Sequence, residues 1–331
     1  AMSTTQVAAL TTGQMAALTA NEVKALSTSQ VQALGSTQVN ALTNANIAAM
    51  TTTQVASLTA GQVTGLSTAA AASLVTAQVQ ALSTSQVQAI STANVAAMSS
   101  TQLSALTTGQ VSALTTAQVV ALETSDVAAL STGQVAALST AQVNVLETAD
   151  IAAMSTGQVA ALSTAQVQAL SNGNVTALST SQVQAMGTAQ VNALSTAQVV
   201  AMTTSQVASL TAAQVKGMST DQVKALENAD VQVLNATQIK ALTTAQVQAL
   251  ETTDVAGLNT TQLAALTADQ VSALTTAQVV SLTTTEVSNL SYDQVKALTT
   301  TQLQAVETAD VAVLNSDQVS SLSATQVQAF T

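Results

Sequence analysis

Five times in this chain a glutamate is followed three residues later by an aspartate: Glu123/Asp126, Glu147/Asp150, Glu227/Asp230, Glu251/Asp254 and Glu307/Asp310. Carboxylates at that spacing repel one another, so their repeated co-occurrence invites a shared cation. The step from Glu123/Asp126 to Glu147/Asp150 equals the step from Glu227/Asp230 to Glu251/Asp254. If such a step closes one coil, stacking brings four carboxylates together, and an all-oxygen ligand set suits weakly held calcium. The competing reading is a set of acidic helix starts, favoured by the helix dipole and copied by duplication. Paired carboxylates also serve glycosidases. A pair repeated five times, in a chain with one Tyr, one Phe and no Trp to bind sugar, is a poor enzyme. No catalytic residue is expected.

A second acidic set, Asp221, Asp269, Asp293 and Asp317, recurs at twice that step and then at the step itself. It reads as a solvent-facing stripe near helix starts. Other chemistry is excluded by composition. There is no Cys and no His, hence no thiolate, imidazole or triad chemistry. Arg is missing, and the basic residues are Lys24, Lys216, Lys224, Lys240 and Lys296. With a net charge of −11 and no basic stripe, nucleic acid is not an expected partner. No apolar run approaches the ~18 residues of a membrane span. No cofactor is expected beyond weak calcium. Ala1-Met2 reads as a cloning remnant, and the chain as a fragment whose targeting signals could have been lost.

These residues sit in one repeated phrase. Ser3–Phe330 divides without insertion or deletion into 41 octads of consensus S/T-T-A-Q-V-x-A-L. Position 5 is Val, Ile, Leu or Met except at Ala71, and position 8 is Leu, Ile, Met, Val or Phe. Position 7 is nearly always small, and all five Lys fall at position 6, a solvent-facing site. Apolar spacing of three and then five is not strand alternation. One continuous helix fails too, because about 80° of rotation is left over per octad and the apolar stripe would spiral. The chain must bend once per octad. Ser/Thr at position 1 and Gln at position 4 have capping-box spacing, and the preceding Leu and following Val form a hydrophobic staple. Each octad is therefore expected to be one short helix and a corner, and residues 3–331 a single all-α solenoid. The alternative is a triangular parallel β-solenoid.

A second period lies inside the first. Position 4 is not Gln in eleven octads: Glu22, Asn46, Ala70, Asn94, Asp126, Asp150, Asn174, Asp230, Asp254, Glu286 and Asp310. Their separations are mostly three octads, with two of four octads and one of seven. Taking the seven as two coils gives a mean of about 3.3 octads per coil. Three-octad duplication explains the threes, but the fours less well. Small residues at position 7, in the extreme Gly65, Gly217 and Gly257, would let coils approach. Octad 67–74 (STAAAASL) should be the weakest, with Ala70 and Ala71 for Gln and Val, although Val75 could fill part of the gap. Phe330 is expected to plug the end, while Tyr292 is a lone exposed aromatic. The Ser/Thr rows read as caps. They would order ice only if the threonines stood on β-strands.

Octads such as Ser163–Leu170 (STAQVQAL) resemble octapeptide tandem-repeat regions of very large bacterial secreted or surface proteins, adhesin-like or haem-utilisation-like. The resemblance runs over essentially the whole chain. It implies an extracellular or cell-surface stalk, joined to neighbouring domains or self-associating, and transfers no binding residue. Haem binding gains nothing from it, since the axial ligands His and Cys are missing.

Overall fold

The computed structural model describes residues 2–330. Among the described residues there are 41 helices and no strand, from α1 (Thr4–Ala8) to α41 (Ala324–Gln328), one per octad and five or six residues each. The all-α expectation holds and the β-solenoid does not.

Octad 83–90 shows the local cause. Ser83 is extended, at φ −71° and ψ 161°, and its Oγ accepts the Gln86 N–H at 3.2 Å. Its own N–H donates to Gln86 Oε1 at 2.7 Å, completing the reciprocal box. The Val87 N–H then donates to the Ser83 carbonyl at 2.9 Å, and the Ile90 N–H to the Val87 carbonyl at 3.1 Å. Ile90 leaves the helix extended, at φ −64° and ψ 127°. Two extended residues, positions 8 and 1, thus make the corner. No described residue has a positive φ. The corner needs neither Gly nor Pro, which leaves position 1 open to the hydroxyl residues that cap. Gly35, Val75 and Gly187 lack that hydroxyl and keep only the other half of the box, each N–H donating to Gln Oε1 at 2.6–2.8 Å.

A helix of five residues cannot pay for its own nucleation, so burial must hold it. The position 5 and position 8 side chains provide this: Val79, Val87 and Val111 are wholly enclosed, and Leu82 and Leu106 nearly so. Such burial contributes roughly 1.5–3 kcal/mol per side chain. The principal helix pairings join helices three octads apart, as α1 with α4 (Thr28–Ala33), α3 (Ala20–Ala25) with α6 (Asn44–Ala49) and α28 (Thr220–Lys224) with α31 (Thr244–Ala249).

The described residues form two compact units, Ala1–Ala169 and Leu170–Thr331, each a stack of such coils. Within each unit, side-chain hydrogen bonds that cross between coils span 25 to 31 residues, as in Thr64–Ala89 and Gln118–Val87 of the first and Asn192–Gly217 and Gln246–Val215 of the second. A strict three-octad coil would set each residue over its own equivalent, three octads earlier. Each octad instead straddles the junction of two octads beneath it. Helix pairing alone follows the three-octad rhythm of duplication, while the hydrogen bonding follows a coil of between three and four octads.

Candidate functional site

The most heavily used side chain is the position 4 glutamine, and it does more than the sequence suggests. In octad 115–122, Gln118 Oε1 accepts the Thr115 N–H at 2.8 Å. Its Nε2 points to the coil below and donates to the carbonyls of Val87 and Ile90, at 2.8 and 2.6 Å. These carbonyls belong to positions 5 and 8 of the fourth octad back. Gln78, Gln110, Gln214 and Gln302 repeat the arrangement. Each of these glutamines is thus both helix cap and inter-coil clamp, and all are buried. Only a primary amide carries an acceptor and two donors on one planar group. The signal was present in the sequence: Glu caps as well as Gln, yet Gln holds position 4 in all but eleven octads.

Ten of those eleven octads stack on one another in runs, which form a seam within each unit. Within the first unit, α3 pairs with α6, α6 with α9 (Thr68–Ala72), α9 with α12 (Thr92–Ala97), and α16 (Thr124–Ala129) with α19 (Thr148–Ala153). Within the second, α29 (Asn228–Gln232) pairs with α32 (Thr252–Ala256), and α36 (Thr284–Ser288) with α39 (Thr308–Ala312). Every one of these helices carries a departure from Gln, so the three-octad intervals in sequence are direct stacking. Along the seam the clamp is weakened. Asn46 Nδ2 reaches one carbonyl, that of Leu18, at 2.7 Å, and Asn94 Nδ2 that of Leu66 at 2.9 Å. At Ala70 the clamp is gone. The Ser67 N–H, which a glutamine would have accepted, donates instead to Oδ1 of Asn40 from the coil below, at 2.7 Å.

The acidic pairs occupy the same seam. Asp126, Asp150, Asp230, Asp254 and Asp310 are buried, at 2–5% exposure. Glu123, Glu147, Glu227, Glu251 and Glu307 are exposed and make no side-chain cap. Asp126 Oδ2 accepts the Glu123 N–H at 2.9 Å and its Oδ1 the Ser100 hydroxyl at 2.7 Å. Asp150 does the same with the Glu147 N–H and the Thr124 hydroxyl, at 3.0 and 2.9 Å. Asp230 and Asp254 accept the amides of Glu227 and Glu251, at 3.3 and 3.0 Å. Among the described residues, no three acidic side chains come close enough to hold one metal ion. The expected gathering of four carboxylates does not occur, because stacking buries the aspartate and turns its glutamate to solvent.

Asp221, Asp269, Asp293 and Asp317 are exposed in the first turns of their helices, as expected. Tyr292 is exposed, with Lys296 Nζ 5.9 Å from its ring centroid. Position 1 hydroxyls are engaged as caps, and no described strand carries threonines, so the ice-binding reading loses its premise. Phe330 lines the last apolar space with Val287, Leu303 and Leu314, a gap of about 20 Å³ with room for little more than one water molecule. No helix among the described residues is long and apolar enough to cross a membrane.

Fold and clamp together define a tandem-repeat protein: a helical solenoid module whose recurring interface is one glutamine per octad. The profile of the ALTTAQ repeat matches residues 16–44, 87–116, 119–148, 143–180, 173–204, 199–227, 223–256 and 247–284, more than half of the chain. The chain belongs to this repeat family. No curated protein matches it.

Proposed function

We propose that the chain is a structural spacer, part of a large bacterial secreted or cell-surface protein, that holds other domains apart and has no enzymatic activity. The observation that supports this best is the glutamine clamp. Because most octads bind the coil below through a glutamine amide and the same backbone carbonyls, octads can be added without any new kind of interface. Composition fits an exposed extracellular setting: no Cys to oxidise, and a surface of hydroxyls and amides with few charges.

The test is small-angle scattering on the chain at half, full and doubled octad number, joined in register. A spacer gains maximum dimension in proportion to octad number. A dimension that stays constant as octads are added overturns the reading. Localisation is read separately, by protease accessibility of the parent protein on intact cells.

A further inference from the structure

The seam of the second unit places a carboxylate where the interface uses a donor. In octads with glutamine, Nε2 gives hydrogen bonds to the position 5 and position 8 carbonyls of the fourth octad back, as Gln246 does to Val215 and Met218, at 2.9 and 2.7 Å. The corresponding carbonyls are Val199 and Met202 for Asp230, Val223 and Leu226 for Asp254, and Val279 and Leu282 for Asp310. An ionised carboxylate has only acceptors, so these buried aspartates cannot give the bonds that a glutamine at the same octad position gives to such carbonyls. In the first unit Asp126 and Asp150 turn an oxygen to a hydroxyl of the coil below.

The seam of the first unit contains the neutral isostere of a protonated aspartate. Asn46 and Asn94 occupy the same octad position, and each Nδ2 donates to the position 8 carbonyl of the fourth octad back, at 2.7 and 2.9 Å. A side chain of aspartate length with one donor therefore reaches the coil below. We propose that Asp230, Asp254 and Asp310 are acid-strengthened latches: each takes a proton from solvent and donates the new O–H to the carbonyl of Met202, Leu226 or Leu282, tying coils that are less firmly tied at neutral pH.

The surroundings act in the same direction. Burial holds the carboxyls of all three aspartates above the usual carboxylate range, and the neighbouring charges of Glu227, Glu251 and Glu307 add to it, against the amide bonds that pull them down. Around Asp230 the titratable groups are Glu227 on its own octad and Glu251 and Asp254 on α32, with none on α26 (Thr204–Ser209). Around Asp254 they are Glu251 on its own octad and Glu227 and Asp230 on α29, with none on α35 (Thr276–Val280). The octad that holds the corresponding carbonyls adds exposed Asp221 and Lys224. Around Asp310 they are Glu307 and, on α36, Glu286. A carboxyl raised in the folded state gives stability that is complete below the ordinary aspartate value and lost as pH rises through the folded value.

The experiment is urea unfolding of the full chain between pH 7 and pH 4, in moderate salt to screen exposed charge. It compares wild type, the triple variant Asp230→Asn/Asp254→Asn/Asp310→Asn, and the control Glu227→Gln/Glu251→Gln/Glu307→Gln. Wild type should gain stability on acidification, about tenfold in the folded-to-unfolded ratio for each unit by which a carboxyl is raised. The asparagine variant should be more stable than wild type at pH 7 and lose that gain, while the glutamine control keeps most of it. The single Asp254→Asn change, with the carboxyl followed by infrared absorption, carries the test if the triple variant does not fold. An asparagine variant less stable than wild type at pH 7, or one with the wild-type pH slope, overturns the proposal.

Discussion

At the scale of the residue, the decisive choice is amide over carboxylate. Gln118→Glu keeps the cap to Thr115 and removes both donors to the coil below. It should cost about 1–3 kcal/mol, the penalty of unpaired buried polar groups, read by urea unfolding at pH 7. No change would mean that the glutamine is only a cap. Val75 provides the converse case. It stands at a cap position with no oxygen to offer and is 45% exposed, so it does not fill the space beside buried Ala71. Val75→Ser should stabilise by about 1 kcal/mol through the restored cap, and Ala71→Val by a similar amount through added burial. Both are checked by melting temperature. Octad 67–74 lacks the capping glutamine, as the sequence showed, but Asn40 replaces the missing amide acceptor. That replacement comes from an octad far away in sequence and could not be read from the octad itself.

At the scale of the element, each helix is too short to stand alone and takes its stability from the coils on either side. Position 7 sets how closely those coils approach. A Cβ built on Gly65 would lie 2.5 Å from Ser36 Cβ, and one on Gly257 would lie 2.8 Å from Asn228 Oδ1. Gly65→Ala should therefore destabilise, by about 1–3 kcal/mol for an overpacked contact. This runs against the usual gain from replacing glycine in a helical setting, so the sign of the shift in urea midpoint is itself the check. The small residue at position 7 was legible in the sequence. Its partner Ser36, which belongs to another coil, was not.

At the scale of the whole molecule, the acidic octads are the place where pattern and structure part. Their five-fold coupling of Glu and Asp suggested shared calcium, yet the fold sends the two carboxylates to different surroundings, one to solvent and one to the seam. Several millimolar calcium should leave the melting temperature unchanged, within about 1 °C, since binding stabilises only when the native state offers a site. A saturable rise would restore the calcium reading. One carboxylate works with the opposite sign to the seam aspartates. Glu22 accepts the Thr19 N–H and hydroxyl, each at 2.8 Å, which holds its carboxyl below the usual range. Its contribution is lost as pH falls through that lowered value.

The sequence by itself determined the octad, its cap, its corner, the buried Val and Leu and the all-helical class. The cap and the corner are set by contacts within a single octad, and repetition leaves no ambiguity in the apolar pattern or the helical class. The three-octad intervals between departures from Gln also mark which octads stack. Only the tertiary structure decided what position 4 is for. The Nε2 of Gln118 meets the carbonyls of Val87 and Ile90 because a coil of between three and four octads sets each octad over the junction of two others. That offset is a property of stacked coils, so no single octad encodes it. The same offset turns the Asp of each acidic pair into the seam and its Glu to solvent, and so separates two carboxylates that the sequence had placed three residues apart.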